Sequence, residues 1–293
     1  MSASILSAAP VALPPSSNFF QRFCRNRTAT VSAIILLAIV IIAIAAPWIA
    51  PHDPAKSSLR AIMKPPTWLH PFGTDDLGRD VLSRLMFASR LSLAASVQAV
   101  AIALVIGLPL GLVSGYLRGW VDTIIMRLND ALMSFPALIL AVVIVGLLGP
   151  SLTNAMTAIG LVYAPRIMRV VRGSTLSVRE EVYITAARAT GCSDIRIVAL
   201  HVLPNVTGPL VVQATVLMGQ ALLAEAGLSF LGLGVQPPQA SWGAMLGTAF
   251  PYMAESPVPT IAAGLVISIT VLCFNLIGDG IRDSVGRMRR AGD

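Results

Sequence analysis

Side chains able to do chemistry are few in this sequence. His70, Asp75, Asp76 and Asp80 fall together in the run HPFGTDDLGRDVLSR from His70 to Arg84, and imidazole and carboxylate are donor types that bind divalent ions. Their spacing matches no established metal site, so the run reads as a solvated, glycine-turned loop leading into an interfacial helix. Glu225 stands in an apolar stretch, where it is placed to touch a ligand, to pair with a neighbour or to snorkel toward the interface. Arg127 and Asp130 are three apart and would share a helix face and pair. Cys24, Cys192 and Cys273 are widely spaced with no Cys-x-x-Cys pair, which argues against both a disulfide framework and a metal centre. There is no Gly-x4-Gly-Lys-Ser/Thr loop, no His-Glu-x-x-His and no Gly-x-Ser-x-Gly, and the chain has 3 histidines. No catalytic residue, resident metal or cofactor is therefore expected.

The elements around these residues are membranous. Of the 293 residues 55% are hydrophobic and 12% charged, and the mean hydropathy is +0.78; soluble domains average roughly 25% charged. A net charge of +7 raises the question of nucleic acid. The arginines, however, flank apolar runs instead of gathering on one soluble face, so no nucleic-acid partner is expected. Met1 to Phe20 is rich in Ser, Ala and Pro without periodicity, and a cytoplasmic tail is assigned to residues 1–29. Arg22, Arg25 and Arg27 then precede an apolar run over 30–50. Ala43-Ile44-Ala45 offers a small-x-small cleavage site, but the run has the ~20 residues that span a bilayer and reads as an uncleaved first helix.

Residues 51–90 form a polar loop outside the membrane. Leu91 to Leu117 carries no charge and is a second span. Gly107, Gly111 and Gly115 recur every fourth residue along it, a one-faced small-residue stripe suited to close helix packing. The uncharged stretch between Asp130 and Arg166 is too long for one span and short for two. It divides into a third span near Ile124 to Leu147, a turn at Gly149 to Ser151, and a fourth span from Leu152 to Val171. Gly208 to Phe230 and Ile261 to Ile277 supply the fifth and sixth. The fold class is all-α, a polytopic bundle of six spans, with a core over 91–283 and a second tail over 284–293.

A polar island, Arg179 to Asn205, interrupts the apolar halves. Glu180 and Glu181 suit a helix N-terminus, and the stretch from Val182 to Thr190 is rich in helix formers. Gly191 ends that helix; Ser193 and Asp194 open a second toward Val202, and Pro204-Asn205 stops it. Small side chains at Ala186 and Ala187 would let this hairpin enter a groove on another protein; an ordinary amphipathic loop helix is the other reading. Fifteen of the 21 Lys and Arg lie on the island's side of a six-span topology, against six in 51–90 and none in 232–260. The positive-inside rule thus puts the island and both ends in the cytoplasm.

The run Ala186-Ala187, Gly191, Leu203-Pro204 resembles the cytoplasmic "EAA" loop of ABC importer permeases, with Thr185 where that motif has Glu. Ala186 to Arg188 and His201 to Asn205 resemble more closely the dipeptide, oligopeptide and nickel branch, as do Gly73 to Asp80 (GTDDLGRD), the stretch from Glu225 to Gly243, and Asn275 to Asp283 (NLIGDGIRD). The resemblance implies a coupling loop over 172–207, docking on ATPases through Tyr183, Ala186, Ala187, Arg188, Thr190 and Gly191. It also implies a sister permease, two ATP-binding subunits, an extracytoplasmic solute-binding protein and a prokaryotic inner membrane. The expected function is passage of di- or oligopeptides, with ATP hydrolysed by partner subunits. Nickel or another small solute is an alternative cargo. An ion-coupled secondary transporter is the rival class, disfavoured by nearly charge-free spans and the lack of an internal repeat.

Overall fold

The computed structural model describes the backbone of residues 19–290 and the side chains of 21–284; the parts of both tails beyond these bounds lie outside the described residues. The described chain is built from helices. Helix α1 (Phe19–Arg25) leads into α2 (Arg27–Ile49), opened by Asn26, whose side chain accepts from the Ala29 amide. At 1.5 Å per residue such a helix is about 34 Å long, enough to cross ~30 Å of hydrocarbon. Its outer face exposes Ile34, Leu37, Ile41 and Ile44, while Ala29, Ala43 and Ala46 are buried against the rest of the bundle.

The next helix, α3 (Val81–Leu117), starts ten residues before the expected span. Asp80 is its N-cap, accepting from the Ser83 amide at 2.8 Å, so the boundary is fixed by a side chain in the polar loop and not by hydropathy. Helix α3 runs alongside α6 (Leu152–Arg179). Gly107, Gly111 and Gly115 face α6. A Cβ on Gly107 would stand 2.6 Å from the Ala164 carbonyl oxygen, one on Gly111 2.7 Å from that of Met168, and one on Gly115 2.7 Å from Thr175 Cβ. Gly160 returns the fit from α6, where a Cβ would meet the Ala99 carbonyl at 2.8 Å.

The third apolar segment is not one straight span. It is α4 (Gly119–Met133) and α5 (Ala137–Leu148), bent by 90° at the break that contains Pro136; proline disfavours helical backbone at the residue before it. Arg127 and Asp130 do not pair: Asp130 binds Arg169 of α6 at 2.9 Å. Pro204 and Asn205 do not stop the chain either. After the one-turn α8 (Asp194–Ile197) and a π turn (Val198–Val202), α9 (Leu203–Phe230) continues directly, with Pro204 just beyond the π turn.

Helix α10 (Trp242–Ala249) presses on α9, and α11 (Pro257–Arg290) closes the bundle against α9 and α2. Among the described residues four helical segments are long and apolar enough to cross a membrane, and five if α4 and α5 count as one broken span. Helix α6 is not among them. It carries Arg166, Arg169 and Arg172 and buries its apolar residues Met156, Ile159, Ile167 and Val171 inside the bundle.

Candidate functional site: the polar hairpin and the cavity

Helix α7 (Val182–Ala189) ends in a defined cap. The Cys192 amide donates to the Ala187 carbonyl at 3.0 Å and the Gly191 amide to that of Arg188 at 3.0 Å, with Gly191 at φ +81°. This pair of bonds with a left-handed residue between is the Schellman closure, which satisfies the last carbonyls of the helix and turns the chain back. Thr190 Oγ1 adds a bond to the Ala187 carbonyl at 2.9 Å. The hairpin is nailed to the bundle by Ile184, Ile197 and Val202, all fully buried. Val182, Tyr183, Ala186, Arg188, Thr190, Ile195 and Leu200 remain exposed, with Ala187 half-buried. Its outer surface thus mixes apolar side chains, Val182, Ile195 and Leu200 among them, with the charged Arg188 and Arg196.

Tyr116 at the end of α3 holds the hairpin from beneath. Its hydroxyl donates to Asp194 Oδ1 at 2.5 Å, while the guanidinium carbons of Arg188 and Arg179 lie 5.1 and 5.7 Å from the ring centroid, within cation–π range. One turn further, Asp122 of α4 takes both prongs of Arg172 of α6, at 2.6 Å each, and accepts from Ser114 of α3. Bidentate geometry of this kind fixes orientation as well as energy. Asn205 donates to Tyr183 Oη at 3.3 Å, joining the start of α9 to α7. The sequence points to Tyr183 and Arg188 and gives Asp194 only as a helix opener; its bond to Tyr116 and the pairing of Asp122 with Arg172 join residues 50 to 78 positions apart and leave no local pattern.

A cavity of about 720 Å³ opens between α5, α6, α9 and α11. Its wall is apolar apart from a small polar group: Arg166 donates to Gln220 Oε1 and stacks 5.0 Å from the Tyr163 centroid, while Tyr163 donates to the Gln220 carbonyl at 3.2 Å. No carboxylate lines it. Glu225 does not face this space and does not snorkel. It is fully buried, accepting from Ser229 at 2.6 Å and from Ser92 of α3 at 3.3 Å. Ser92 in turn accepts from the Trp242 amide, and the Trp242 indole donates to the Leu85 carbonyl at 3.1 Å. Glu225 thus ties α3, α9 and α10 together.

The polar loop is also more ordered than a solvated segment. Asp75, Arg79, Asp80 and Arg84 are all buried. Asp75 meets the Arg79 side chain at 2.7 Å and that of Arg84 at 3.4 Å, so each charge is compensated as it leaves water. Gly78, at φ +72°, packs against the Ser58 carbonyl with no room for a Cβ. Burial pushes the Asp80 carboxyl up, but hydrogen bonds from the Ser83 side chain and amide and from His70 outweigh it and hold the group below its ordinary value.

Comparison with known proteins gives this arrangement a family. Residues 107–290 match the model of the binding-protein-dependent transport system inner membrane component, and residues 15–66 match that of the N-terminal TM domain of oligopeptide transport permease C. The chain is 41% identical over 277 residues, 92% of its length and 91% of the relative's, to the di/tripeptide transport system permease protein DppC of Pseudomonas aeruginosa. It is 40% identical, over 96% and 95%, to the glutathione transport system permease protein GsiD of Escherichia coli O157:H7. A solved inward-facing form of the MetNI methionine ABC transporter shares the fold, with a TM-score of 0.58 at 22% identity over 69% of this chain and 96% of that one. The chain belongs to the binding-protein-dependent transport system inner membrane component family and is a multi-pass membrane permease of an ABC importer.

Proposed function

We propose that this permease forms the translocation path for di- or oligopeptides together with a sister permease. Cargo arrives from an extracytoplasmic solute-binding protein, and the energy comes from two cytoplasmic ATP-binding subunits. The observation that carries this reading is the hairpin α7–α8. Its Schellman closure and buried Ile184 and Ile197 make it stiff, and its exposed Val182, Ala186, Ile195 and Leu200 give it a surface that needs a partner. A stiff, docked element transmits displacement. When the ATPases close, the push passes through Arg188 and Asp194 to Tyr116, and so to α3 and α6, which must have two packings close in energy.

In this reading α6 is an inner span and the third span is the broken pair α4–α5. The hairpin and both ends are then cytoplasmic, in keeping with the Lys and Arg distribution. The protein would contribute no group to ATP hydrolysis. The cavity supports carboxylate-bearing cargo such as peptides over a bare cation, since it offers the guanidinium of Arg166 and no anionic ligand.

The test is co-purification from solubilised membranes with ATPase activity assayed on the eluate. The native chain should bring down nucleotide-hydrolysing partners and a second permease. Arg188→Glu should lower that recovery several-fold, while Arg60→Glu in the opposite loop should not. Equal losses from both variants would overturn docking at the hairpin, and a solitary chain without ATPase would overturn the importer assembly.

A further inference from the structure

The outer loop holds a cluster that this transport reading does not use. His52 follows α2, His70 lies midway through the loop, and Asp80 is the N-cap of α3. One ligating atom from each lies within 4.8 Å of the others. His70 Nδ1 is 2.9 Å from Asp80 Oδ1 and His52 Nδ1 is 3.8 Å from Asp80 Oδ2, with the two ring centroids 4.7 Å apart. The second distance is too long for a hydrogen bond, and His52 Nδ1 is buried with no hydrogen-bond partner. A buried ring nitrogen aimed at a carboxylate and a second imidazole calls for something between them.

We propose that His52, His70 and Asp80 bind a divalent transition-metal ion, with zinc as the best fit. Two donors each about 2.0–2.1 Å from a tetrahedral zinc stand roughly 3.3 Å apart; the observed 2.9 Å from His70 Nδ1 to Asp80 Oδ1 and 3.8 Å from His52 Nδ1 to Asp80 Oδ2 lie on either side of that value. Two imidazoles and one carboxylate suit zinc, nickel or copper and do not suit calcium or magnesium, which prefer all-oxygen shells. The carboxylate is already oriented: Ser83 donates to Asp80 Oδ2 from its amide at 2.8 Å and from its hydroxyl at 2.6 Å, leaving Oδ1 turned to His70 with His52 nearest Oδ2, the kind of outer support that metal ligands require. On binding, the His70 proton moves from Nδ1 to Nε2, both imidazoles coordinate through Nδ1, and water fills the fourth position. Acid protonates the same ring nitrogens that would ligate the ion, so affinity falls in acid. The ion would clip the chain leaving α2 to the cap of α3.

The experiment is a Co²⁺ titration of the full-length chain in detergent, freed of any histidine tag and stripped with chelator, followed by Zn²⁺ competition. One equivalent of Co²⁺ should raise the visible absorption of a four-coordinate site, and Zn²⁺ should bleach it. His52→Ala and, separately, His70→Gln should weaken binding at least tenfold, while His201→Ala, which changes the remaining histidine, should not. Asp80 is left intact because it caps α3. Equal thermal midpoints of native and variant chains in chelator certify that the variants are folded. Absence of the absorption band, or the same titration curve for native and His52→Ala chains, would overturn the site.

Discussion

A carboxylate in an apolar helix is costly unless its oxygens are met, and Glu225 is met by Ser229 and Ser92. Replacing it by Gln keeps a group that can accept and donate in place. Replacing it by Leu strands two buried hydroxyls and removes the tie between α3, α9 and α10. Glu225→Leu should destabilise by about 1–3 kcal/mol, the usual cost of orphaning buried polar groups, and Glu225→Gln by less. Thermal unfolding of the purified chain in detergent checks this; equal midpoints for the two variants would show that the network does not hold α3, α9 and α10 together. The sequence displayed Glu225 and left its partner open, because Ser92 is 133 residues away.

At the scale of elements, two glycines act for different physical reasons. Gly191 has nothing within 4 Å of where a Cβ would stand, yet its φ is +81°, so a side chain there is opposed by the backbone alone. Gly191→Val should abolish uptake while the chain still inserts, whereas Gly191→Asn, which tolerates the left-handed region, should keep much of it. Uptake assays with membrane-fraction blots separate the two, and normal uptake by the Val variant would remove the stiff-turn argument. Gly111 is in ordinary helix and is restricted by space: a Cβ would meet the Met168 carbonyl at 2.7 Å and Val171. Gly111→Leu should force α3 from α6 at a cost of about 1–3 kcal/mol, seen as a lower thermal midpoint. Gly146→Leu, where nothing lies within 4 Å, should be tolerated.

For the whole molecule the decisive property is which parts share a side of the membrane. With the native cysteines replaced, single cysteines at Ser57 and Glu255 should react with a membrane-impermeant maleimide added to spheroplasts, and one at Ser193 only after permeabilisation. Labelling of Ser193→Cys from outside would reverse the topology. This test also bears on α6, since five spans instead of six would move the ends to opposite sides. Helix α6 fits as an inner span because its arginines have polar partners on neighbouring helices: Arg172 on Asp122, Arg169 on Asp130 in a half-exposed pair, and Arg166 on Gln220 at the cavity wall. Helices α3, α5 and α9 pack around it.

The sequence by itself determined the all-helical membrane class, the glycine stripe as a one-faced pattern and the turn at Gly191. Each follows from local rules: the length of an apolar run, a four-residue period, and a backbone angle open to glycine. The four motif blocks from residue 73 to 283 carried the family as well. Only the tertiary structure decided that Asp130 binds Arg169, that the third apolar segment breaks by 90°, that Tyr116 carries the hairpin, and that His52 meets His70 and Asp80. These depend on which distant segments the packed helices bring side by side, and composition and spacing hold no record of that.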